Sequence, residues 1–137
     1  MIRIIIDSEW FSKEKCYNNP KYLYIYGDNL LRKGGKGQAI IRTCYNSAGI
    51  TTKRYPSNCE GSFFLDADID EFKEELEADI SYIFTRMPKY EALVFPKDGL
   101  GTGLAALPTT SPLCFKYLSL RLEEITGYKH NSKGFSV

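Results

Sequence analysis

The stretch from Tyr22 to Gln38, YLYIYGDNLLRKGGKGQ, constrains the fold more than any other part of the chain. Tyr22 to Tyr26 is rich in residues that suit a pleated strand, and the run breaks at Gly27. Asp28 and Asn29 lead into a glycine-rich turn, Gly34, Gly35, Lys36 and Gly37, and the spacing then predicts a helix from Gln38 to Ser47. Glycine lets a backbone take positive φ and approach a ligand closely. The first N–H groups of a helix have no intrahelical partner. A strand, a glycine turn and a helix start in that order predict an anion cradle.

A second stretch repeats the logic. Ala92 to Phe95, ALVF, is a short continuous apolar run, as expected of a buried parallel strand. Pro96 to Pro108, PKDGLGTGLAALP, follows as a second glycine turn. Ser111 then offers an N-cap and Pro112 a first helical residue, with Phe115, Leu118, Leu122 and Ile125 as an apolar stripe and Gly127 as the stop. In open α/β sheets ligands bind beyond the carboxyl ends of the strands. If the two strands are parallel, both turns share one rim, and two cradles side by side suit a diphosphate.

The remaining elements fill in an α/β alternation. Ile2 to Ile6 reads as a strand, and Asp7 to Pro20 as irregular chain carrying Trp10 and Phe11, which either fold onto the core or wall a ligand base. Gly49 reads as a helix stop, and Ile50 to Pro56 and Phe63 to Leu65 as β-prone segments that can add antiparallel strands. Ile69, Phe72, Leu76, Ile80 and Ile83 recur at helical steps up to Pro88. Asp66, Asp68 and Asp70 resemble the start of a calcium loop, but Glu71 stands where that loop needs glycine, so they are read as helix caps. Tyr128 to Val137 reads as a polar tail or a weak last strand, which leaves one domain with its core in residues 1–127.

Composition narrows the function. A net charge of +1 with no basic run gives no broad footprint for nucleic acid. The cysteines Cys16, Cys44, Cys59 and Cys114 show no C-x-x-C spacing, and His130 lies far along the chain from all of them, so no metal or cofactor is predicted. Free thiols in a reducing cytoplasm are expected, with no signal peptide and no membrane segment. The P-loop spacing and the G-x-G-x-x-G fingerprint are both absent, which argues against kinase-like transfer and Rossmann redox chemistry.

Asn29, Leu30 or Leu31, Gly34, Gly35, Gly37, Ala39 and Ile40 together resemble the signature of macrodomains, the ADP-ribose-binding fold. Pro96 followed by Gly99, Gly101, Thr102 and Gly103 is similar to their second phosphate loop. The likeness spans roughly Tyr22 to Gly127 and is greatest to the short macrodomain-like proteins of phages and bacteria. It implies a three-layer mixed sheet with helices on both faces and an ADP-ribose-like ligand. That ligand would be held by Asp7 near the base, by Gly27, Asp28, Asn29, Gly34, Gly35, Lys36, Gly37 and Gln38 in the first loop, and by Pro96, Asp98, Gly99, Leu100, Gly101, Thr102, Gly103 and Leu104 in the second. One hydrolase branch of that family carries a catalytic acid just after the second turn, where this chain has Ala105. The departure favours holding a nucleotide, such as a host immune signal, over cutting it. A hydrolase using Asp28 and Asn29 is the alternative, and an interaction protein with purely structural glycine turns is a third.

Overall fold

The computed structural model describes residues 2–137. Strands β1 (Arg3–Asp7), β2 (Tyr22–Asn29), β3 (Ser47–Lys53) and β4 (Ala92–Pro96) form one sheet in the order β1-β4-β2-β3, with every neighbouring pair parallel. Helices α1 (Lys13–Asn18), α2 (Ile69–Arg86), α3 (Leu107–Thr110) and α4 (Pro112–Thr126) complete the α/β fold.

The strands alternate between two cores because successive side chains leave opposite faces of a pleat. Leu23 and Ile25 of β2, with Leu93 and Phe95 of β4, join Phe72, Leu76, Ile80 and Ile83 of α2 and Cys114, Leu118 and Leu122 of α4. Tyr24, Tyr26 and Val94 point the other way, onto Phe11, Cys16, Ile41 and Cys44. The α2 stripe is that read from the helical period, with Ile69 only partly buried, whereas in α4 the unforeseen Cys114 joins Leu118 and Leu122 in the core and Phe115 and Ile125 are partly buried at its edges. Ser111 caps α4 by accepting from the Cys114 N–H, Pro112 opens it, and Gly127 closes it at φ 77°. Asp68 accepts the Leu65 N–H and Asp66 accepts from Ser111 Oγ and the Leu113 N–H, so two of the three aspartates hold helix starts.

Several expectations are corrected. The helix expected from Gln38 is only a 3-10 turn, Gly37–Ile41. Buried Asn46 ends it by donating to the carbonyls of Cys16, Asn19 and Tyr22, which carries the chain straight into β3. Ile41 and Cys44 are the buried apolar residues of this stretch, while Ile40 and Thr43 are exposed. Gly49 is not a stop but a mid-strand residue. The main sheet is parallel rather than mixed, and Phe63 to Leu65 forms no strand. Phe64 is instead buried edge-on against Phe72. The expected tail is an antiparallel hairpin of β5 (Lys129–Asn131) and β6 (Gly134–Ser136). Its Phe135 joins the α2/α4 core edge-on to Phe95.

Candidate functional site at the strand ends

All four strands run parallel, so Asp7, Asn29, Lys53 and Pro96 end on one rim. β4 pairs with β1 as far as Asp7 and Pro96, but with β2 only from Tyr22–Ala92 to Tyr24–Val94. Beyond that the two central strands part. The chain leaves β2 toward the face of Ile41 and leaves β4 toward the face of α4. A crevice where neighbouring strands send their connections to opposite faces is where α/β sheets bind ligands. Gln38 spans it, accepting from the Gly27 N–H at 3.0 Å and donating to the Gly99 carbonyl at 3.0 Å.

The first loop is built by polar side chains. Asn29 donates to the Lys33 carbonyl at 2.8 Å and accepts the Leu31 N–H at 3.0 Å. Arg42 donates from Nε to the Gly34 carbonyl at 2.9 Å and from Nη2 to the Lys33 carbonyl at 3.0 Å. Its Nη1 pairs with Asp28 Oδ1 at 2.6 Å. Asp28 also meets Arg32 at 3.2 Å, Arg32 meets Asp79 at 2.6 Å, and Asp79 accepts the Thr51 N–H at 2.7 Å. The Asp28 carboxylate lies over Gly49, where a Cβ would sit 2.6 Å from Oδ2. Asp28 and Asn29, the two candidates for catalysis, are therefore both buried and committed to holding the loop.

The second loop is held from behind. The Gly99 N–H donates to the Pro96 carbonyl at 2.9 Å, and Thr102 Oγ1 donates to the Asp98 carbonyl at 2.6 Å. The Leu107 N–H takes the Gly101 carbonyl and the Ala106 N–H the Gly103 carbonyl, both at 2.9 Å. The Leu100 N–H donates to His130 Nε2 at 3.1 Å. Because Nε2 accepts, the ring proton is on Nδ1, which donates to Ser119 Oγ at 2.8 Å. Burial pushes the His130 imidazolium down to about 4, so the ring is neutral near pH 7. β6 closes the loop further, with the Phe135 N–H on the Lys97 carbonyl at 2.8 Å. Gly134 sits so close that a Cβ would lie 2.1 Å from the Lys97 oxygen.

Peptides are trans here, so each carbonyl and the N–H that follows it point opposite ways. The carbonyls of Lys33 and Gly34 accept from Asn29 and Arg42, and those of Gly101 and Gly103 from the Leu107 and Ala106 N–H groups. Among the described residues, the N–H groups paired with them, on Gly34, Gly35, Thr102 and Leu104, donate to nothing. Gly34, Gly37, Gly99 and Gly101 need glycine for their positive φ. Gly35 and Gly103 do not: their φ is ordinary and a Cβ on either meets nothing within 4 Å.

The remaining sequence candidates divide. Lys36 and Leu104 are exposed on the loops, whereas the Leu100 side chain is core and Pro96 is buried. Asp7 pairs with Lys15 at 2.7 Å and accepts the Glu9 N–H at 2.9 Å. It lines a cleft of about 30 Å³ with Trp10, Phe11, Gln38, Pro96 and Asp98. Phe11 is core, while Trp10 is 78% exposed at the cleft. His130 is the residue that sequence reasoning missed. Its strand is three residues long, and no local pattern in the sequence marks it. Among the described residues no cluster of His, Cys, Asp and Glu is arranged to hold a metal ion, and no helix is long and apolar enough to cross a membrane.

A family model matches residues 6–121, from the end of β1 through most of α4. The chain belongs to DUF7831, a family of unknown function. Both glycine loops, Gln38 and Arg42 fall inside the match, and the β5–β6 hairpin that seats the second loop falls outside it. Neither the curated proteins nor the solved structures contain a match to the chain.

Proposed function

We propose that the strand-end rim binds a phosphorylated nucleotide of the ADP-ribose type, one phosphate against each glycine loop. On this reading the sheet, with its core on each face, is a three-layer macrodomain-like arrangement. The observation that carries the reading is the set of four peptide units on the two loops whose carbonyls are hydrogen-bonded and whose N–H groups are left without a partner. Such a set presents partial positive charge without a counter-charge of its own, which suits an oxyanion. Glycine at Gly35 and Gly103, which neither φ nor packing requires, leaves the ligand room to approach. Exposed Trp10 beside the cleft offers a face for a base.

Holding rather than cutting is favoured. Asp28 is clamped between two guanidiniums, the Asn29 amide is spent on the loop, and Ala105 supplies no acid. A general base needs its proton-accepting atom free toward the water. In a small phage-type protein, such binding fits the sequestration of a nucleotide signal. Calorimetry against ADP-ribose, its cyclic isomers and cyclic oligonucleotides tests the reading. Binding to at least one, weakened by Gly103→Val, is expected, and binding to none of them sinks it.

A further inference from the structure

The chain between Asp28 and Glu60 contains six basic residues and no acidic one. Arg32, Arg42 and Arg54 find carboxylates on Asp28, Asp79, Asp68 and Glu71. Lys53 does not. It ends β3 on the ligand rim, in register with Asn29, and is only 8% exposed. Its Nζ donates to Asn58 Oδ1 at 3.2 Å and stands 4.7 Å from the Phe63 ring centroid. Burial alone lowers its basicity, and no carboxylate offsets the loss. An ammonium taken out of water without a counter-ion carries a cost that one neutral hydrogen bond and one ring face recover only in part. The Lys53 carbonyl accepts the Leu30 N–H at 3.2 Å, and Pro56, three residues on, lies 3.6 Å from where a Gly34 Cβ would be. The segment carrying this amine therefore flanks the first glycine loop.

We propose that Lys53 is a ligand-binding group, its ammonium taking a further oxyanion of the ligand on the β3 side of the glycine loops. The ligand class sharpens accordingly, to a nucleotide that carries a phosphate or carboxylate besides the diphosphate. This rests on the reading above only for the rim the ligand occupies.

The test is made on the whole chain with inorganic phosphate as probe, and with acetate at matched ionic strength as a second arm. Acylation by an N-hydroxysuccinimide ester is followed residue by residue by mass spectrometry. Phosphate should slow acylation at Lys53 several-fold while leaving exposed Lys133 unchanged. Slowing by acetate too supports the subsite and widens it to carboxylates. Lys53→Met keeps the stem and removes the charge. It should melt no lower than the parent and lose the part of the phosphate-induced rise in Tm that Lys53 supplies. An unchanged Lys53 rate in phosphate overturns the proposal. So does a Lys53→Met protein that keeps the full phosphate response, or one that melts well below the parent, since the amine would then serve Asn58 and Phe63. ADP-ribose binding is measured separately. Binding to none of the nucleotides named above, alongside phosphate protection of Lys53, defeats the nucleotide reading and leaves Lys53 as an oxyanion subsite.

Discussion

Acidification should weaken this protein through one imidazole. His130 is 4% exposed and neutral, with Nε2 accepting the Leu100 N–H and Nδ1–H donated to Ser119. Burial lowers its pKa from 6.5 to about 4, against a smaller opposing pull from Glu123. Between those values the unfolded chain binds a proton that the folded chain refuses, so stability rises with pH across that window. The contribution is complete above pH 6.5 and is lost as pH falls toward about 4. At about 1.4 kcal/mol per pH unit the loss comes to about 3 kcal/mol, a large share of the roughly 5–15 kcal/mol of a typical domain. Carboxylates titrate over part of the same range, so the comparison must be with a variant. His130→Gln retains an oxygen to accept from Leu100 and removes the titration. Urea unfolding at several pH values from about 7 to 4 should show the parent losing about 3 kcal/mol more than the variant. Parallel stability profiles for the two proteins would refute the reasoning, because the imidazole would then not be held neutral by its burial.

Other substitutions separate fold from function. Asp28→Ala leaves Arg42 facing a buried gap and should cost about 3 kcal/mol in chemical denaturation, as when one partner of a buried pair is removed. Gly49→Ala puts a methyl 2.6 Å from Asp28 Oδ2 and should lower Tm by disturbing the same pair. Gly134→Ala, with its Cβ 2.1 Å from the Lys97 oxygen, should prevent the hairpin from seating, seen as exposed amide exchange in residues 128–137. Gly35→Ala and Gly103→Ala should change stability by less than about 0.5 kcal/mol, yet weaken nucleotide binding in calorimetry.

The parts of the fold that could be read from the chain are those set by local period. β2, β4, α2 and α4 each carry their own apolar pattern, and Ser111, Pro112 and Gly127 mark helix ends by chemistry that acts within four residues. Parallel pairing then puts both glycine loops on one rim, as expected. What could not be read depends on partners distant in sequence. Asp28 has the same local chemistry whether it is a base or a strut, and only Arg42 and Arg32 folding back onto it decide. Residues 38–47 have a helical pattern that the bonds of buried Asn46 to Cys16, Asn19 and Tyr22 override. The hairpin's strands are three residues each, too short to signal themselves. They exist because Phe135 and His130 pack beneath the second loop.

Gln38 changes what the two loops mean. Its amide joins the strand end before the first loop to the carbonyl at the start of the second, across the gap where β2 and β4 part. Both of its polar ends are used, so neither loop can shift without breaking a bond to the other. Arg42 fixes the first loop to Asp28, and His130 fixes the second to α4 through Ser119. The unpaired N–H groups are thus set before any ligand arrives, and binding need not fund the ordering of either loop. Gln38→Ala should therefore reduce affinity for a ligand that touches both loops more than for inorganic phosphate, which touches one. An equal loss for both would show that the loops act independently and that the wedge serves the fold alone.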